Sequence, residues 1–239
     1  MGNVFNRWRR GIFYNPLQRR VFLLLTLILG VVFTLLFVNV IGVAFKTLFP
    51  TMGSVGIVLI LATCLLGSYV NVPIKRYKTL QPALGIRRVT AFGITYPVHT
   101  FGVGFQESLL AVNIGGAVVP TVTSLYLMAK APPAIPAIVA GTVVVALVVR
   151  AVSKPVKGAG IIVPIFIPPV TAALAGTLLG GSASHVVTYV SGTLGTLIGA
   201  DLLNIQKILK LGAPITSIGG AGTFDGIFLA GIMGVILAV

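Results

Sequence analysis

The apolar positions of this chain fall in long unbroken runs. Val21 to Phe45 reads VFLLLTLILGVVFTLLFVNVIGVAF, without a single charge. About 20 apolar residues cross the hydrocarbon core as a helix, so this run predicts a transmembrane span. It is too long for a secretory signal, no small-residue cleavage site follows, and further runs come later. Seven spans are expected, at residues 21–46, 54–74, 106–129, 135–152, 159–181, 184–205 and 213–239. Between the second and third the pattern changes. Residues 77–104, containing RRVTAFGITYPVHTFGVG, alternate like a short β-hairpin and begin too polar for a span. The expected fold class is an all-α membrane protein of about seven transmembrane helices with that hairpin inserted.

Composition agrees. The chain is 56% hydrophobic and 8% charged, with mean hydropathy +1.08, where soluble domains carry roughly 25% charge. At 239 residues a soluble core could not absorb this much apolar surface. The charges then orient the spans. Arg7, Arg9, Arg10, Arg19 and Arg20 precede the first span, and Lys75, Arg76, Lys78, Arg87 and Arg88 follow the second. Arg150, Lys154 and Lys157 follow the fourth, and Lys207 and Lys210 the sixth. These are fifteen of the 17 basic residues, all on one side; only Lys46 and Lys130 fall on the other. Positive residues mark the cytoplasmic side, which puts the N-terminus inside and the C-terminus outside. The net charge of +14 thus reflects topology and calls for no nucleic-acid partner. The basic arm, residues 1–20, with Trp8, Phe13 and Tyr14, suits contact with the bilayer and its anionic lipids.

One tetrapeptide occurs twice. NIGGAVVP runs from Asn113 to Pro120 and SIGGAGTFDG from Ser217 to Gly226. The preceding spans also correspond: LLGSYVNVPIKR, Leu65 to Arg76, can be laid on LIGADLLNIQK, Leu197 to Lys207. This suggests a parallel repeat of three spans, one linking helix and three spans. The first repeat is residues 21–129 with the insertion 77–104, the linker 135–152, and the second repeat 158–239. Parallel repeats are a known transporter design.

SYVNVPI, VNIGGAVVP, IVPIFIPP, SGTLGTLIGADLLN and SIGGAGTFDGIFLAGI together resemble a family of bacterial and archaeal membrane proteins, the domain of unknown function numbered sixteen-fourteen. The resemblance covers most of residues 60 to 239. It implies a polytopic fold in a prokaryotic plasma membrane and implies no activity.

Only three carboxylates occur: Glu107, Asp201 and Asp225. A charge at mid-bilayer costs at least ~2.5–3.5 kcal/mol and is functional by default. Asp201 and Asn204 are three apart and should share a helical face. Glu107 should open the third span at a similar depth. Asp225 is expected near the middle of the last span. The glycines beside it are poor helix formers. Gly219 and Gly220, after Ser217, and Gly115 and Gly116, after Asn113, should unwind their spans and aim half-helix N-termini at a polar cavity. Pro164, Pro168 and Pro169 should kink or break the fifth span. The candidate ion- or substrate-binding set is therefore Asp225, Asp201, Asn204, Glu107, Asn113, Gly115, Gly116, Ser217, Gly219 and Gly220.

His99 and His185 lie far apart, Cys64 is the single cysteine, and neither metal-ligand spacing nor a nucleophile motif is visible. No metal, cofactor or catalytic residue is expected. The favoured reading is a transporter or channel for an ion or small solute. One alternative is an intramembrane aspartyl protease using Asp201 and Asp225, although the Gly-x-Gly-Asp pattern of such proteases is absent. Another is a non-catalytic subunit of a larger membrane complex. A homo-oligomer stays open.

Overall fold

The structure, a computed structural model, describes residues 16–50, 54–91, 94–156, 160–210, 213–220 and 226–238. Contacts divide the chain into two units, Met1–Val43 and Ala44–Val239. The described part of the first unit is helical, as predicted from the leading apolar run. Helix α1, Pro16–Leu48, carries through it; residues 21–36 are exposed, whereas Phe45 and Leu48 at its end are buried. Its polar side chains turn back on the helix: Thr26 and Thr34 donate to Phe22 O and Gly30 O, both at 2.8 Å. That is how a hydroxyl is satisfied where no water reaches it.

The second unit is built around one helix. α2 (Ser54–Gly67) leads into strands β1 (Asn71–Ala91) and β2 (Ile94–Asn113). A wide π-turn, Ile114–Val118, opens α3 (Val119–Lys130), and α4 covers Ile135–Val152. A two-stranded ribbon, β3 (Lys154–Val156) with β4 (Gly160–Ile162), precedes α5 (Ile167–Leu179). Then come α6 (Ser184–Thr196), a second π-turn (Leu197–Asp201), a 3-10 turn (Leu202–Asn204), α7 (Ile205–Lys210), β5 (Ile215–Ile218) and α8 (Gly226–Leu237). α6 packs against α3, α4, α5 and α8. Val187 to Thr196, apart from Leu194, is buried on every face. Its small residues permit this, because close backbone approach needs them. A Cβ on Gly195 would stand 2.6 Å from Val145 Cβ of α4, and one on Gly192 3.0 Å from Ala172 Cβ of α5.

Three helical stretches are long and apolar enough to cross a bilayer: Arg20–Leu48, Pro132–Val152 and Gly181–Leu209. Four more are apolar but shorter: Val55–Gly67, Ile114–Lys130, Ile167–Leu179 and Gly226–Leu237. Each overlaps an expected span, but extended chain takes part of the predicted length. Residues 71–74 and 106–113 are strand, not helix, so the hairpin runs from Asn71 to Asn113 rather than over 77–104, and the described fold is mostly helical rather than all-α. The strands pair antiparallel from Asn71↔Asn113 to Ala91↔Ile94. Register slips between Pro73 and Lys75, as expected where a proline brings no N–H to the ladder. β5 adds to β2 in parallel, Leu109↔Ile215 through Val112↔Ile218. Within the fifth expected span, Pro168 and Pro169 stand in the first turn of α5, where their missing N–H groups would be unpaired anyway.

Candidate functional site

The two Ile-Gly-Gly-Ala segments meet. Parallel pairing of β2 with β5 carries both to one place, where Ala117, Leu197 and Ile227 form a core with Val112 and Ile218. The first copy starts a helix. Asn113, 1% exposed, accepts from Gly116 N at 2.8 Å through Oδ1 and so caps the turn. Its Nδ2 donates to Ser68 O at 2.6 Å and to Asn71 Oδ1 at 3.1 Å. Ser217 Oγ donates to the same Asn71 oxygen. Gly115 is pressed on the end of α2: a Cβ there would overlap Cys64 O and Ser68 N.

The second copy is unwound, as expected for Gly219 and Gly220, and the helix α8 begins beyond it at Gly226. Ser217 and Ile218 end β5. Gly219 and Gly220 follow with φ of 84° and 89°, a region most side chains avoid. Gly219 lies on the first copy, where a Cβ would be 2.6 Å from Ala117 Cβ and 2.7 Å from Ala117 N. Its N–H donates to Asp201 Oδ2 at 2.7 Å. Asp201, half-buried, closes the π-turn at the end of α6 and takes no lysine or arginine partner among the described residues.

Asp201 and Asn204 do not work as the pair expected from their spacing. The π-turn and the 3-10 turn replace the regular helix between them. Asn204, 1% exposed, donates through Nδ2 to Gly199 O at 3.0 Å, Ala200 O at 3.1 Å and Ser153 Oγ at 2.9 Å. A wide turn displaces carbonyls from their usual donors, and this amide supplies one.

Glu107 is corrected more strongly. It is exposed in β2, opposite Lys78 in the ladder, and does not open a helix. Asp225 lies outside the described residues; α8 begins at Gly226. Asn71 and Ser68, which bond the Asn113 side chain, were missed as site residues. Asn71 stands four residues after the glycine of Leu-x-Gly in LLGSYVN, and Asn204 five residues after it in LIGADLLN, a loose correspondence that pointed to it.

Three helical stretches of bilayer length and four shorter apolar helices suggest a membrane protein of mostly helical fold. The profile of a family described as a protein of unknown function (DUF1614) matches residues 65–237, and the chain belongs to that family. No curated protein and no solved structure matches it.

Proposed function

We propose that this chain is a multi-pass membrane protein, N-terminus cytoplasmic, that moves an ion or small solute, with Asp201 as its binding carboxylate. The observation that carries this reading is the Asp201–Gly219 contact. A carboxylate in the apolar stretch Gly181–Leu209 has one oxygen held by a backbone N–H at a helix break, and no cation beside it among the described residues. A single backbone donor leaves most of the acceptor capacity of an ionised carboxylate free, and an uncompensated charge at that depth is retained where it serves a function.

The seven-span topology rests on the one-sided basic residues and on the seven apolar segments, the shorter ones completed by extended chain. Such chain is tolerated at membrane depth where protein covers it or a cavity wets it. The parallel repeat has support of its own. In each half, the segment after Leu-x-Gly hydrogen-bonds the segment carrying Ile-Gly-Gly-Ala: Ser68 O and Val70 O with Asn113 and Ile114, and Asp201 with Gly219. Converging helix breaks at the interface of two repeats are where such transporters bind their cargo.

Reconstituted protein tests the reading. Asp201→Asn keeps the acceptor for Gly219 N and removes the charge. It should insert and melt like the parent in detergent yet lose ion or solute flux in proteoliposomes. Wild-type flux in that variant would overturn the proposal.

A further inference from the structure

Hydroxyls in this chain normally bond their own helix. Thr26, Thr34, Thr63, Ser124, Thr171, Thr177 and Ser191 each donate to a carbonyl three or four residues back. Thr188, Thr193 and Thr196 of α6 do not. All three are buried, at 0%, 0% and 4% exposure, and no Oγ1 bonds a carbonyl of the helix. An unpaired buried polar atom costs roughly 1–3 kcal/mol. Thr188 faces Gly176 of α5; Thr193 and Thr196 lie on another face and need another account. Position supplies it. His185, Tyr189, Thr193 and Thr196 follow at spacings of four, four and three, which is one face of a helix. His185 Nδ1 is also buried without a partner. Tyr189, 1% exposed, stands beside Thr193 and Thr123, with Cys64 of α2 close by. Gly231 of α8 makes room opposite: a Cβ there would strike Thr193 Oγ1 and come within 3.1 Å of the Tyr189 ring. The face leads to the π-turn and Asp201. At 1.5 Å per residue it covers ~24 Å from His185 to Asp201, most of a hydrocarbon core of about 30 Å. Its titratable groups are His185, Tyr189, Cys64 and Asp201, with no lysine or arginine among the described residues.

We infer that this face is a proton relay and that the ion reaching Asp201 is a proton. The inference rests on the carboxylate reading above and adds the identity of the ion and its route. Rungs four residues apart are about 5–6 Å apart at Cβ, so each hop passes through one bridging water. Each hydroxyl accepts a proton on one side and releases another on the other, and ends neutral. The arriving proton neutralises the Asp201 carboxylate and leaves from it toward the far side.

The test uses full-length protein in liposomes holding a pH-sensitive dye, with a potassium diffusion potential set by valinomycin. Wild type should acidify or alkalinise the lumen with the sign of the potential. Thr193→Val and Thr196→Val keep shape and break a rung. Each should lower proton flux by roughly tenfold, the weight of one lost hydrogen-bonded link. Thr193→Ser should keep wild-type flux, and so should Thr188→Val, whose hydroxyl faces Gly176 of α5 instead. Monodisperse elution and melting temperature verify folding; should a valine variant misfold, Thr193→Ala against Thr193→Ser makes the same comparison. Unchanged proton flux in Thr193→Val and Thr196→Val overturns the relay, as close packing of threonine on glycine would predict. Sodium or potassium flux that Asp201→Asn stops, without proton flux, overturns the relay and keeps the carboxylate. Wild-type liposomes that pass no proton, sodium or potassium overturn the relay alone, and a solute flux equal in Asp201→Asn and wild type overturns both readings.

Discussion

One Ile-Gly-Gly sequence folds in two ways within this molecule. Ile114 to Gly116 is part of a helical turn, whereas Ile218 ends a strand and Gly219 and Gly220 are left-handed. The sequence permits both, because glycine is at ease in either region. Their hydrogen-bond partners decide. Before the first copy stands Asn113, whose side chain turns back to Gly116 N and closes a helical turn. After it comes Pro120, at home in a first turn. Before the second copy stands Ser217, whose hydroxyl is spent on Asn71. The amide that a helix would have needed, Gly219 N, goes to Asp201 from the end of the α6 segment. A carboxylate from elsewhere in the chain thus holds the second copy open, and the comparison puts Asp201 at the point where the two halves differ.

The largest effect is expected at Gly115. An alanine there pushes its methyl into Cys64 O and Ser68 N, both backbone atoms that no rotamer change can move. Overpacking usually costs about 1–3 kcal/mol, and a rigid backbone target belongs at or above the top of that range. Gly115→Ala should therefore leave little folded protein, read as aggregated material on size exclusion in detergent. A sharp, monodisperse peak with the parent's melting temperature would show that α2 is not seated on this turn.

Gly219→Ala should be severe but divisible. A left-handed alanine costs roughly 1–2 kcal/mol whatever surrounds it. The clash with Ala117 Cβ at 2.6 Å adds to that. Ala117→Gly in the same chain removes the side-chain part of the clash and leaves the backbone cost. The double variant should melt between Gly219→Ala and the parent. No such rescue exists for Gly115, and that contrast separates the two copies by experiment. Equal melting of the single and double variants would show that side-chain contact between the copies carries no weight.

Asn113→Ala comes next. It removes the cap of the first copy, worth about 1 kcal/mol, and takes the donor from Ser68 O, where a lost buried partner costs roughly 1–3 kcal/mol. We expect a loss of about 2 kcal/mol, measured as a shift in the denaturation midpoint. Asn113→Asp should restore the cap while leaving Ser68 O without its donor, and should fall between the two.

Much of this was legible in the chain and some was not, for physical reasons. A charge-free run such as Val21 to Phe45 has few uses other than a long apolar helix, so α1 could be read directly. Val72 to Ile74 and Leu109 to Val112 could not be read as strand, because short apolar runs serve helix and strand alike and only pairing decides between them. Glu107 was misplaced for that reason. Asp201 stood out because acids are so few. Its partner Gly219 is 18 positions away, beyond any local pattern, and the π-turn that parts it from Asn204 leaves no mark in composition. The prolines of α5 announced a break and did not tell which end of the helix would hold it.

The smallest effect is expected at Ser217. Its bond to Asn71 Oδ1 is the direct side-chain tie between the second copy and the network around the first. Asn71 Oδ1 also accepts from Asn113 Nδ2, so removing the serine hydroxyl leaves that oxygen partnered. Hydrogen bonds between segments of membrane proteins average about 0.6 kcal/mol in double-mutant cycles, and a bond whose acceptor keeps a second donor belongs near or below that value. Ser217→Ala should lower stability by roughly 0.5 kcal/mol. The informative measurement is the cycle with Asn71→Ala. If the two copies are tied through this oxygen, the double variant costs less than the two single variants added together, because either change alone breaks the same bond. Strict additivity would mean that the two copies are held together by β2–β5 pairing and the Gly219–Ala117 contact alone, and that the Asn71 network serves only the first.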